Sequence, residues 1–92
     1  MTDVIARKVR VFGRVQGVFF RQGAVNQARA LGVEGWVHNA RDGSVEAHIK
    51  GQAEAVEQMV RWMRRGPSQA RVDDVTVEEV EPEDVTGFSV RL

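Results

Sequence analysis

From Ile5 to Phe12 the chain alternates, with Val9 and Val11 on one side and Lys8, Arg10 and Phe12 on the other, the period of a half-buried strand. After a stretch with two glycines, Phe20, Ala24, Ala28 and Leu31 recur at helical spacing, and Gly32 stands where a left-handed residue closes a helix. Gly23 interrupts that helix. A glycine there costs about 1 kcal/mol relative to alanine, so either the helix begins loosely or a close approach needs the missing side chain. Val33 to Asn39 and Ser44 to Lys50 read as two strands joined by Arg41-Asp42-Gly43. If their apolar residues share a face, Val37 lies opposite Ala47 and Gly35 opposite Ile49. That parity requires an odd loop, and three residues with Gly43 left-handed make a favoured hairpin. The same register sets Glu34 across from Lys50, His38 across from Glu46 and Trp36 across from His48, which gives both histidines ordinary places in a sheet.

Gly51 breaks the strand pattern, and from Ala53 the residues Val56, Met59, Val60 and Met63 form a second helical stripe. It should end at Arg65, with Arg61, Arg64 and Arg65 near the negative end of the helix dipole and Gly66-Pro67 as the stop. Val72, Val75, Val77 and Val80, with acidic residues between, predict a fourth strand with an exposed negative side; Phe88, Val90 and Leu92 predict a short fifth. The Met and Trp positions read as core, and the loop from Glu81 to Thr86 carries no signal. The order is strand, helix, strand, strand, helix, strand, with a terminal strand added. This is the βαββαβ arrangement of ferredoxin-like α+β sandwiches, with a mixed, mainly antiparallel sheet and two helices on one face. The helix crossover makes the first two strands parallel, with the third antiparallel between them, so the carboxyl ends of the first two share one edge of the sheet.

Composition narrows this only a little. Ninety-two residues, 42% of them hydrophobic, fit a single domain over residues 1–92. Thirteen basic and thirteen acidic side chains leave no net charge, so nothing points to a nucleic-acid backbone or a membrane surface, and any anion site must be local. The absence of cysteine excludes disulfides, a thiolate nucleophile and a cysteine-bearing metal site. No stretch is long and apolar enough to span a membrane, and no signal peptide is evident, so a cytoplasmic protein is expected.

The candidate chemistry lies between the first strand and the first helix, in Gly13-Arg-Val-Gln-Gly-Val-Phe-Phe-Arg21. A helix start leaves N–H groups unpaired and carries the positive end of the dipole, and two glycines four apart let a loop curl around one oxyanion. Arg21 is the odd member, because a cation at a first helical turn is disfavoured by roughly 0.3 to 1 kcal/mol. Taken singly, each feature has a plain account: a tight turn, a solvated arginine, and at Asn39 a turn residue bonding local backbone. Topology brings the three to one sheet edge. The loop lacks the Gly-Lys-Ser/Thr ending of a P-loop and the Gly-x-Gly-x-x-Gly of a dinucleotide turn, so it suits a small phosphoryl or carboxylate group better than a nucleotide.

Those nine residues, with Gly35-Trp-Val-His-Asn39 and Asp42-Gly43-Ser-Val45 at matching spacing, resemble the paired signatures of the acylphosphatase family. The similarity continues through Gly66-Pro67, Ala70-Arg71-Val72 and Phe88-Ser-Val90. It implies a small ferredoxin-like enzyme that hydrolyses the carboxyl–phosphate bond of acyl phosphates. Carried over residue by residue, it implies a phosphate-binding loop at Val15, Gln16, Gly17, Val18, Phe19 and Phe20, a catalytic Arg21 that also binds phosphate, and a catalytic Asn39 that orients water. Gly23 departs from the family, which carries a side chain there.

No cofactor and no metal are expected, because backbone amides and a bidentate guanidinium can hold the phosphoryl oxygens. No general base is expected either: an amide is too weak a base, and a substrate oxygen can take the proton. The expected partners are a small acyl phosphate and inorganic phosphate, as product and competitive inhibitor, with no nucleic acid, no membrane and a monomeric state. Two rivals are an anion-binding regulatory module without catalysis and an RNA-binding ferredoxin-like domain using Trp36 and Phe12 as stacking platforms. Intact Arg21 and Asn39 weigh against the first, and zero net charge with an acidic fourth strand against the second.

Overall fold

The computed structural model describes residues 3–91. The elements are β1 (Val4–Arg14), α1 (Phe20–Leu31), β2 (Glu34–Asn39), β3 (Val45–Gln52), α2 (Ala53–Arg65), β4 (Arg71–Val80) and β5 (Phe88–Val90). They form one five-stranded sheet of order β4-β1-β3-β2-β5, antiparallel except for the β2–β5 pair. This is the expected ferredoxin-like α+β architecture, and the central β3 leaves β1 and β2 parallel. Both helices bury their apolar faces on one side of the sheet: Phe20, Ala24 and Ala28 of α1 and Val56, Met59 and Met63 of α2 share a single core with Val9, Val11, Val37, Val45, Ala47 and Ile49. None of the described helices is long and apolar enough to cross a membrane.

The hairpin register is the one parity requires. Val37 faces Ala47, Gly35 faces Ile49, and the three polar pairs Glu34–Lys50, Trp36–His48 and His38–Glu46 lie on the other face. Ala40 N–H donates to Ser44 O (2.8 Å), and Gly43, at φ 92°, turns the three-residue loop. Gly66 closes α2 by donating its N–H to Trp62 O (2.7 Å).

Four expectations change. Strand β1 runs on to Arg14, with a bulge against β4 between Phe12 and Gly13, where a Cβ on Gly13 would stand 2.1 Å from Arg71 O. Gly51 does not end β3, because the β1 ladder supplies a backbone partner, Ile5, whatever the side chain. Trp36 is not in the helix-covered core. It lies on the opposite face, where Glu83 accepts from its Nε1 (2.9 Å) and the Arg91 guanidinium sits 4.6 Å from its ring centroid. The loop before β5 is therefore anchored: Glu83 N–H also donates to His48 Nε2 (3.1 Å), and Lys50 Nζ donates to the carbonyls of Glu83 and Val85 (both 2.8 Å). Leu92, expected in the fifth strand, lies outside the described residues.

Candidate active site

The loop between β1 and α1 is held from below by two valines. Val15 and Val18 are buried in the core, while Gly17 between them takes a left-handed φ of 74° and stays exposed. Phe19 also turns left-handed (φ 61°) as the residue preceding α1, and it offers no side-chain cap to the helix. Gln16 and Gly17 form a turn, and from Phe19 to Gln22 no amide finds a backbone acceptor among the described residues; the first bond of the helix is Gly23 N–H to Phe19 O at 2.9 Å. The first turn carries no acidic side chain. Unpaired donors and the positive dipole end thus converge with nothing from the chain's own first turn to neutralise them.

Arg21 adds a full charge to that turn. It is half-buried, and it forms no ion pair with any described residue. The loop and helix start line an open cavity of about 340 Å³ through Val15, Gly17, Phe19, Phe20, Arg21 and Gln22, with Val90 of β5 completing the wall. That space accommodates a phosphoryl group and the first atoms bonded to it.

Asn39 ends β2 on the helix-covered side, paired with Val45. Its Oδ1 is buried and accepts no hydrogen bond from any described residue. Asn39 does not line the cavity itself; the link to the loop runs through Gln16, whose Nε2 donates to Ala40 O (2.8 Å) and Ser44 O (2.9 Å) at the mouth of the β2–β3 hairpin. So the structure divides the expected loop. Val15, Gly17, Phe19, Phe20 and Arg21 face the cavity, Val18 serves the core, and the side chain of Gln16 braces loop to hairpin.

Two cavity residues escaped the sequence reading. Gln22 sits one place beyond the motif and donates to Asn26 Oδ1 (3.0 Å). Val90 reaches the cavity because β5 pairs in parallel with β2, placing Val90 beside Val37. No local pattern reports that pairing.

Gly23 has a packing reason. A Cβ there would lie 2.9 Å from Cζ2 of Trp62, whose ring packs at 5.3 Å, tilted, against Phe20. Gly66 leaves similar room on the Phe20 side, where a Cβ would stand 2.7 Å from its ring. The residue directly before Arg21 is thereby packed against the carboxyl end of α2.

On the far face of the sheet, Glu46 collects Arg10, Lys8 (3.3 Å) and His38 Nε2 (2.8 Å). Burial by itself raises the Glu46 carboxyl, and the hydrogen bonds from His38, Arg10 and Lys8 outweigh it, holding the group at about 2. His48 is pushed below its ordinary range, first by burial and then by Lys50 and Arg91, against the pull of Glu83. His38 lies in this network, away from Asn39, as alternation requires. Trp36 is 9% exposed and is no open stacking platform. Among the described residues, no group of three or more His, Asp or Glu side chains is arranged to hold a metal ion.

A ferredoxin-like sandwich with an electropositive strand-to-helix turn at the carboxyl edge of its first two strands defines a class of small α+β domains with an open cavity beside that turn. The sequence model of the acylphosphatase family matches residues 7–90. The acylphosphatase of Anaeromyxobacter dehalogenans is 50% identical over 93 residues, covering 100% of both chains. An acylphosphatase structure from Coxiella burnetii has a TM-score of 0.92 at 38% identity, covering 97% of this chain and 94% of that one. One from Bacillus subtilis has the same TM-score at 32% identity, covering 96% and 99%. The chain belongs to the acylphosphatase family.

Proposed function

We propose that the protein hydrolyses the carboxyl–phosphate bond of acyl phosphates, without a metal, at the loop between β1 and α1. The observation that carries the reading is the run of amides from Phe19 to Gln22, none taken by a backbone acceptor among the described residues, beside a cavity that Arg21 also lines. Phosphoryl transfer asks a protein for little covalent work: the equatorial oxygens need donors, and the attacking and leaving oxygens must be held in line. The amides and the Arg21 fork bind the phosphoryl oxygens, and because they are preorganised they stabilise charge as it develops.

Asn39 positions the water. Its unpartnered Oδ1 accepts a hydrogen bond from the attacking molecule, which fixes the direction of approach without removing a proton. Water oxygen bonds to phosphorus, the phosphorus–oxygen bond to the acyl group breaks, and the carboxylate departs with the bonding pair. The water proton passes to a phosphoryl oxygen, so the products are carboxylate and dihydrogen phosphate. A carboxylate leaving group is stable enough that no general acid is needed.

The test is benzoyl phosphate hydrolysis with excess chelator. Turnover well above the spontaneous rate is expected, and a rate equal to background overturns the reading. Inorganic phosphate, fitting the same donors, should inhibit competitively; inhibition that leaves the Michaelis constant unchanged would separate its site from the substrate's.

A further inference from the structure

Phe19 is hard to explain as a structural residue. Its side chain is 76% exposed, the most exposed of the large hydrophobic residues described. It is also the one described residue other than glycine with positive φ. Asparagine or glycine fits that backbone more easily and would expose no ring. The chain thus holds an apolar ring in water, on a strained backbone, outside the buried core.

What the ring does touch is the cavity. Phe19 lines it with Arg21, and across it stands Val90, another exposed apolar side chain, at 39%. Once a phosphoryl group occupies the amides and Arg21, the atoms bonded through its bridging oxygen must extend toward open solvent. Phe19 and Val90 are the exposed apolar walls on that route. Among the described residues, no acidic side chain and no free cation other than Arg21 lines it, so a charged acyl chain finds no side-chain partner among them.

We infer that Phe19, with Val90, is the acyl-group platform of this site, and that it selects acyl phosphates with an aromatic or bulky apolar acyl group over short or charged ones. This rests on the acyl phosphate reading above. The ring adds nothing to phosphoryl binding, which belongs to the backbone. It shields the apolar part of the substrate from water, so its effect is confined to substrates that have such a part.

The experiment compares kcat/KM for benzoyl phosphate and acetyl phosphate in the wild type, Phe19→Asn and Phe19→Leu. Acetyl phosphate reports any disturbance of the loop common to both substrates, and the ratio isolates the ring. In Phe19→Asn, whose side chain tolerates the left-handed backbone, the benzoyl-to-acetyl ratio should fall about fivefold to tenfold. Phe19→Leu, still apolar, should retain most of the preference, and Val90→Ser should lower the ratio in the same direction. A ratio within twofold of wild type in Phe19→Asn overturns the platform while leaving the hydrolase intact. Absence of turnover with both substrates in the wild type overturns both readings.

Discussion

At the scale of single residues, the site spends stability where the chemistry needs it. Arg21 sits at the positive end of a helix with no acidic neighbour in the turn, and Phe19 holds a left-handed backbone that costs about 1–2 kcal/mol for a residue with a Cβ. An anion filling the cavity relieves the first of these. Replacing Arg21 by Gln should therefore lower kcat/KM about 10²-fold to 10³-fold, with KM rising as kcat falls, since in the proposed mechanism the guanidinium serves bound substrate and transition state alike. It should also leave the empty protein as stable as wild type or slightly more so, which urea denaturation would read. Asn39→Ala should act differently. In the proposed mechanism its Oδ1, which has no partner among the described residues, meets only the attacking water, so kcat should drop about 100-fold with KM changed less than about twofold; full turnover in that variant would remove the positioning role.

At the scale of elements, the site depends on contacts that make the loop, α1 and the β2–β3 hairpin one unit. Gln16 is the tie, its amide donating to Ala40 O and Ser44 O. Gln16→Ala should cost about 1–2 kcal/mol of stability and about tenfold in kcat, because the loop and the hairpin that carries Asn39 lose their common anchor. The helix pair gives a sharper test. Alanine for glycine in a helix ordinarily gains about 1 kcal/mol. Here the added Cβ meets the Trp62 ring, so Gly23→Ala should destabilise by about 1–3 kcal/mol. In a Trp62→Ala background the same change should become stabilising, a sign reversal that a double-mutant cycle would show. Sequence periodicity places both residues on helices, yet it says nothing of their closeness, since the two lie on different elements and meet only when both pack on one sheet.

At the scale of the whole molecule, acid should unlatch the face opposite the site. The folded state uses neutral His48, whose Nε2 accepts from Glu83 N–H, and burial lowers its affinity for a proton. With the folded value below the ordinary 6.5, that contribution is complete above pH 6.5 and is lost as pH falls below it. Glu46 follows. Held at about 2 against an ordinary 4.5, it contributes fully above pH 4.5 and loses its share as pH falls towards 2, an amount on the order of 3 kcal/mol. Urea midpoints measured against pH should thus decline in two stages on acidification. His48→Gln should erase the upper stage alone, and Glu46→Gln the lower. A midpoint flat from pH 7 to 5 in the wild type would mean that the His48 latch carries no stability.

Much of this protein is written in its local pattern. Alternation and parity determine the hairpin register, helical spacing locates α1 and α2, and strand order brings the β1–α1 loop and Asn39 to one edge, because each rests on neighbours along the chain or on a short closed loop. The resemblance of two short motifs adds the family. Tertiary packing alone decides the rest: Gly23 yields to Trp62, Gln16 braces the hairpin, Trp36 lies under Glu83 and Arg91, and β5 carries Val90 to the cavity. These join residues far apart in sequence through shape and hydrogen bonding, and neither leaves a period in the chain.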